Sequence, residues 1–465
     1  MSDPLAPVLE RLDQDAALAV ARLCDLLRIP SVSTDPAFKP DCRRAAEWLA
    51  AELSAIGFDA AVRETPGHPM VVGHSRAHPE GAPRLLYYGH YDVQPADPIE
   101  LWESPPFEPV VIEAERGPRV VGRGAVDDKG QVMTWLEALR AWHAVHGSYP
   151  ARITVLLEGE EESGSPSLNG FLEANREELA ADVCLISDTG MWDIDTPAIT
   201  TSLRGMVYSE VTLHGPSRDL HSGMYGGAVP NPINVLARLI AQLHDEQGRI
   251  QIPGFYDGIA EPSAERLAQW RELGFDESAF LAEVGLKTPA GEAGRSALER
   301  LWSRPTCDVN GIHGGYTGKG AKTVIPAHAT AKISCRLVPG QDPKTVEAGI
   351  RRFFEERAPA DCRVELTVHS ASPAIEVPDR SPELTAALRG LDRVFDKTPV
   401  LIGCGGSIPV AGAIRRLLGF DSLLIGFGLE DDRVHSPNEK FELRCLHNGA
   451  RAHAAILAEL GKPST

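Results

Sequence analysis

The sequence predicts an α/β protein: a mostly parallel β-sheet flanked by helices, interrupted by an inserted ferredoxin-like α+β domain. Three observations carry that prediction. Short apolar runs are separated by helical patterns, early in the chain and again near its end. Between about 204 and 378 the texture changes to long strand-like alternation. His, Asp and Glu collect just after the apolar runs, where an open α/β sheet binds its ligands.

Taken in order, residues 5–28 and 42–56 repeat apolar positions every three or four residues and predict two helices. The runs RLLYY (84–88), RITVLL (152–157), DVCLI (182–186) and SLLIGF (422–427) predict buried strands, with a helix over 131–146 between the first two. MVYSEVTLHG, the helix NPINVLARLIAQL, then ATAKISCRLVPG, the helix PKTVEAGIRRFFEER and RVELTVHS fit a split β-α-β-β-α-β order if one more strand lies in the polar stretch before 329. The expected domains are therefore 1–203 with 379–465, and an insertion at 204–378 that includes the polar segment 245–303. The helix SPELTAALRGLDRVF would return the chain to the first layer.

The 465 residues carry 46 Lys+Arg against 65 Asp+Glu, a net charge of −19. That balance excludes nucleic acid as a partner, because phosphates need a basic surface, and it excludes polybasic attachment to lipid. No apolar run reaches the length of a membrane span, and the N-terminus lacks a signal peptide's basic and apolar regions. The eight cysteines are scattered without a CxxC pair, so reduced thiols and a cytoplasmic location are expected.

The chemistry sits in the strand-end residues. LLYY runs into Gly89-His90-Tyr91-Asp92, ITVLL into Glu158-Gly159-Glu160-Glu161-Glu162, and DVCLIS into Asp188. SLLIGF leads to His435-Ser436-Pro437-Asn438-Glu439. Between the first two lies GRGAVDDKG, whose glycines permit a tight turn that would aim Asp127 inward. Imidazoles with several carboxylates suit zinc, manganese and similar divalent ions. Such an excess of carboxylates suits two ions about 3.5–4 Å apart that share a bridging carboxylate and a water. A further, uncoordinated carboxylate would then move the proton.

At these residues the sequence resembles the dinuclear-metal peptidase and deacylase family of carnosinase-like cytosolic dipeptidases, acetylornithine deacetylase and succinyl-diaminopimelate desuccinylase. YYGHYDVQP, GRGAVDDKG, LLEGEEESGS, LISDTG, DLHSG, GAKTVIP, CRLVP, GGSIP and HSPNEK carry the likeness, in family order, and DLHSGMYGG and GFYDG resemble the dipeptidase branch. The resemblance implies a zinc-peptidase catalytic domain with an inserted lid and dimerisation domain. It implies His90, Asp127 and Asp188 around one metal, and Asp127, Glu162 and His435 around the other. Zinc is the first expectation; manganese and cobalt are the alternatives. Asp92 would support a ligating imidazole, and Glu161 would be the general base acting on a metal-bridging water. Adjacent acids on an extended backbone point apart, which would free Glu161 from ligation. A cis peptide is implied at Asp127-Asp128. His221 would reach the partner subunit's active site in a homodimer. Arg336, Thr323, Asn310, Gly406 and Ser407 would bind the substrate, the arginine as a planar fork on its free carboxylate.

The expected function is therefore metal-dependent hydrolysis of dipeptides or similar small substrates with a free C-terminal carboxylate. Two alternatives stand beside it: an N-acyl amino acid deacylase on the same scaffold, and a non-catalytic metal-dependent binding protein. Two departures near the substrate end, Cys404 directly before Gly405-Gly406-Ser407 and no histidine between Ser370 and Pro382, leave the substrate's identity open.

Overall fold

The computed structural model describes residues 3–377, 381–406 and 408–462. The chain forms two compact units, one of residues 1–201, 377–402 and 413–465, the other of 202–376 and 403–412.

The first unit is built on a mixed sheet. Its centre is parallel: Arg84–His90 lies between Arg152–Glu158 and Val183–Ile186, and Ser422–Leu424 pairs with Val183–Ile186. Its margins are antiparallel. Met70–Ser75 pairs with Arg152–Glu158 and with Phe58–Arg63, and Thr200 in Ala198–Leu203 faces Leu424. The central strands are buried on both faces, which is why they read as continuous apolar runs. The expected strand at 422–427 closes earlier, at Leu424.

Helices Ala6–Leu27, Lys39–Ala55, Lys129–His146 and Leu443–Leu460 cover the sheet. Lys129–His146 buries nearly every side chain from Lys129 to Trp142 and ends on Gly147, whose left-handed φ of 65° closes the last turn. Its start packs so tightly that a Cβ on Gly130 would stand 1.9 Å from the Ala125 carbonyl oxygen. The hairpin Phe58–Arg63/Met70–Ser75 has no counterpart among the expected elements. A small sheet of Val110–Ile112, Arg119–Val121 and Lys440–Glu442 lies beside the GRGAVDDKG turn in sequence.

The second unit holds an antiparallel sheet in the order Thr306–Gly314, His328–Leu337, Gly205–His214, Arg363–Ser372. Thr306–Gly314 is the strand left open in the polar stretch. Helices Pro232–Ala241 and Pro343–Arg357 complete β-α-β-β-α-β, and Val207, Val211, Leu236, Ile333, Ile350 and Phe353 form their common core. Asn231 and Asp342 start these helices by accepting from backbone N–H groups, each followed by a proline. Segment 245–303 folds into three short helices, Ala264–Glu272, Glu277–Glu283 and Ala297–Trp302. It is pinned by Arg304, buried and bidentate on Glu292 at 2.7 and 2.9 Å, with Arg249 on the same carboxylate. Residues 403–412, which include Gly406, belong to this unit.

Candidate metal centre

The carboxyl ends of the parallel strands bring the expected acids and histidines together. His90 is the last residue of Arg84–His90, and Glu161 and Glu162 sit in the turn Glu161–Ser163 just past Arg152–Glu158. Asp188 follows Val183–Ile186, and His435 lies in the loop after Ser422–Leu424. Asp127 is delivered by GRGAVDDKG, which turns on Gly124 at φ 83° and carries a cis peptide at Asp127-Asp128.

Two groups of potential ligand atoms result, each with its atoms within 4.8 Å of one another: His90, Asp127 and Asp188, and Asp127, Glu162 and His435. Asp127 belongs to both. Its Oδ1 is 3.2 Å from His90 Nε2 and its Oδ2 is 2.9 Å from His435 Nε2, which is 3.2 Å from Glu162 Oε1.

The charge balance fits a bound cation. His90 Nε2 and Glu162 Oε1 are buried and meet only Asp127 and His435, respectively, without a well-aligned hydrogen bond, which leaves lone pairs for a cation. Burial, then Asp127, pushes the Asp188 carboxyl up to about 7. Burial also raises Glu161, and Glu162, Asp92 and Asp127 add to the effect. The His435 imidazolium is favoured by hydrogen bonds to Asp127 and Glu162, which lift it to about 10. Carboxylates crowded among imidazoles therefore lack positive charge, and two-imidazole, multi-carboxylate sets suit divalent cations. The His435 side chain is 53% exposed, so the second group opens to solvent.

Support comes from residues that hold backbone rather than side chains. Asp92 accepts from Glu161 N at 3.2 Å and Glu162 N at 3.0 Å, so it fixes the turn carrying both glutamates. The His90 ring bonds Asp92 through its carbonyl oxygen at 3.1 Å, and the Asp92 carboxylate is 3.4 Å away. The expectation that extended backbone separates Glu161 from Glu162 is corrected: the two lie on a 3-10 turn, where successive side chains diverge by about a third of a revolution.

Glu439 was not anticipated. It is fully buried, and its carboxylate accepts from Gly124 N, Val126 N, Asp127 N and Arg123 Nη1 at 2.8–3.0 Å. One side chain thus ties the loop of His435 to the loop of Asp127. Gln131 similarly joins Thr189 O, beside Asp188, to Phe427 N. The only sequence signal was a Glu directly after HSPN and a polar residue within an apolar helix.

The remaining expected residues lie in the second unit. His221 is exposed in Leu220–His221, paired with Val324–Ile325, and Ser222 N donates to Thr323 O at 3.0 Å. Asn310 is exposed at the register shift between Val309 and Gly311. Arg336 is partly buried in His328–Leu337, facing Thr306 and Met206 on the neighbouring strands. The Gly406 carbonyl accepts from Arg204 N at 3.1 Å. Ser407 lies outside the described residues.

Residues 86–459 match the model of peptidase family M20/M25/M40. The chain belongs to that family.

This M20/M25/M40 peptidase is 32% identical to the Cys-Gly metallodipeptidase DUG1 of Candida albicans over an alignment of 480 residues, covering 99% of this chain and 98% of that protein. It is 31% identical to the human Beta-Ala-His dipeptidase over 384 residues, 81% of this chain and 75% of that one. Among solved structures it is similar to human carnosine dipeptidase 1, with TM-score 0.79, 28% identity and 99% of both chains covered. It is also similar to the M20 metallo-carboxypeptidase Sso-CP2 of Sulfolobus solfataricus, with TM-score 0.81, 30% identity and 95% and 99% covered. The protein is a metal-dependent hydrolase of peptide bonds. Among the described residues no helix is long and apolar enough to cross a membrane.

Proposed function

We propose that the protein is a cytoplasmic, homodimeric dipeptidase that binds two divalent cations per chain, zinc first among them, and cleaves dipeptides with a free C-terminal carboxylate. The observation that carries this reading is the sharing of Asp127 between two ligand groups, with Glu161 beside them. Relatives named for Cys-Gly and Beta-Ala-His dipeptides support the substrate class.

His90, Asp127 and Asp188 would hold one cation, and Asp127, Glu162 and His435 the other. The cations supply Lewis acidity, which polarises a carbonyl oxygen and acidifies water. Glu161 takes the proton of the attacking water and returns it to the leaving amine. Its carboxyl, raised by burial, is the stronger base for the first step. Asp92 keeps Glu161 and Glu162 in register through their backbone N–H groups. His221 of the inserted domain, reaching the partner's site, would donate to the oxyanion. Arg336, Thr323 and Gly406, with Ser407, would receive the carboxylate end of the substrate, and Asn310 would contact its carbonyl or oxyanion.

A dipeptide-library hydrolysis screen with Zn²⁺ and Mn²⁺ supplied separately, run beside N-acetyl and N-succinyl amino acids, tests the proposal. Faster cleavage of dipeptides is expected. Preference for the N-acyl substrates would move the protein to the deacylases, and metal binding without hydrolysis of either would make it a binding protein.

A further inference from the structure

Arg204 is a buried cation whose charge the described residues offset only in part. It is 6% exposed, and among the described residues no carboxylate forms an ion pair with it or with Arg336. Its Nη2 donates to the carbonyl oxygens of Arg300 and of Arg304, the latter at 2.8 Å, at the end of helix Ala297–Trp302. Its Nε has no hydrogen-bond partner. Burial, followed by repulsion from Arg336, lowers its pKa to about 10, and Asp308 offsets part of this. Arg204 therefore remains protonated at neutral pH.

The same residue carries the glycine loop. Arg204 N donates to Gly406 O at 3.1 Å, and Gly406 N donates to Cys404 Sγ at 3.3 Å. A Cβ on Gly405 would stand 4.0 Å from Arg204 Nη1, and one on Gly403 would stand 2.6 Å from Trp302 Cβ. The loop thus rests on Arg204 and on the last helix of segment 245–303. That helix leads directly into Arg304, the arginine locked to Glu292. The polar segment, otherwise without a role, becomes the floor on which the loop lies.

We propose that Arg204 is a specificity-determining positioning residue, supplying the second positive charge of the carboxylate subsite and fixing the Gly403–Gly406 loop onto helix Ala297–Trp302. The inference rests on the reading above that Arg336 and Gly406 face the carboxylate end of the substrate. Two cations without an ion-paired carboxylate, offset only in part by Asp308, favour an anionic ligand and disfavour its neutral analogue, because a missing anion leaves them under-neutralised.

The test uses the full-length, metal-loaded enzyme and compares kcat/KM for a dipeptide and for the same dipeptide as its C-terminal amide. Arg204→Met is expected to cut kcat/KM for the acid about tenfold or more, chiefly through KM, and to lower that for the amide distinctly less. Arg204→Lys restores the charge without both carbonyl bonds and should recover part of the preference. Asp308→Asn, an exposed change that removes the offsetting charge, should raise the acid preference, so the proposal remains testable if Arg204→Met does not fold. Equal losses on acid and amide, or a preference that none of the three variants alters, would overturn the proposal. A parent enzyme that does not prefer the acid would instead overturn the carboxylate reading of Arg336 and Gly406.

Discussion

Single residues divide here into those that would touch the reaction and those that hold them. Glu161→Gln keeps size and shape but removes the base. It should lower kcat by at least about 10²–10⁴-fold while metal content per chain stays at the parent value. Retained turnover, or loss of metal, would remove Glu161 from the role. Glu439→Gln should do the reverse. An amide cannot accept on both ends, so one of the donors now on Glu439 would face an N–H. Metal affinity should fall at both groups together, because the disturbed backbone carries the shared Asp127, and isothermal titration with Zn²⁺ measures this. The residues proposed as ligands stand out in the sequence because each follows an apolar run or a glycine turn. Glu439, Gln131 and the true contacts of Asp92 do not, because their partners are backbone N–H groups and carbonyls, which every residue carries.

The loop carrying His435 shows how elements store geometry. Arg433, His435 and Asn438 all have φ near 60°, a left-handed conformation that side chains adopt only when other contacts enforce it. Asn438 supplies two of those contacts, accepting from Glu103 N at 2.8 Å and donating to Leu101 O at 2.9 Å. Helix Leu443–Leu460 adds a pH-dependent element. Burial lowers His453 to about 3, while its unfolded imidazole titrates near 6.5. Between those values the unfolded chain binds the extra proton, so this contribution is complete above pH 6.5 and is lost as pH falls. In His453→Gln the slope of unfolding free energy between pH 4 and 6 should be smaller by up to about 1.4 kcal/mol per pH unit. Denaturant titrations across that range would detect it, and an unchanged slope would contradict it. Helices and buried strands were readable at this scale because their periodicity is local. The hairpin at 58–75 was not, since GFDAAVRETPGHPMVVGHS combines a solvent-facing strand with a buried one and shows no single period.

At the scale of the whole molecule, metal and stability are linked. A cation that binds the folded chain with ligand at a hundredfold excess over Kd adds about 2.7 kcal/mol. Chelation should therefore lower Tm, and Zn²⁺ or Mn²⁺ should restore it; a Tm indifferent to chelator would argue against metal at these residues. The inserted α+β pattern was legible from its alternating strands. The joining of residues 403–412 to the second unit was not, because it depends on contacts such as Arg204–Gly406 between positions some two hundred residues apart. The most direct test of the shared-carboxylate centre is metal stoichiometry measured alongside dipeptide hydrolysis, before and after exhaustive chelation. Two divalent ions per chain, activity lost with them and recovered on their return, is the predicted result. Full hydrolysis by a chain holding no metal would contradict it.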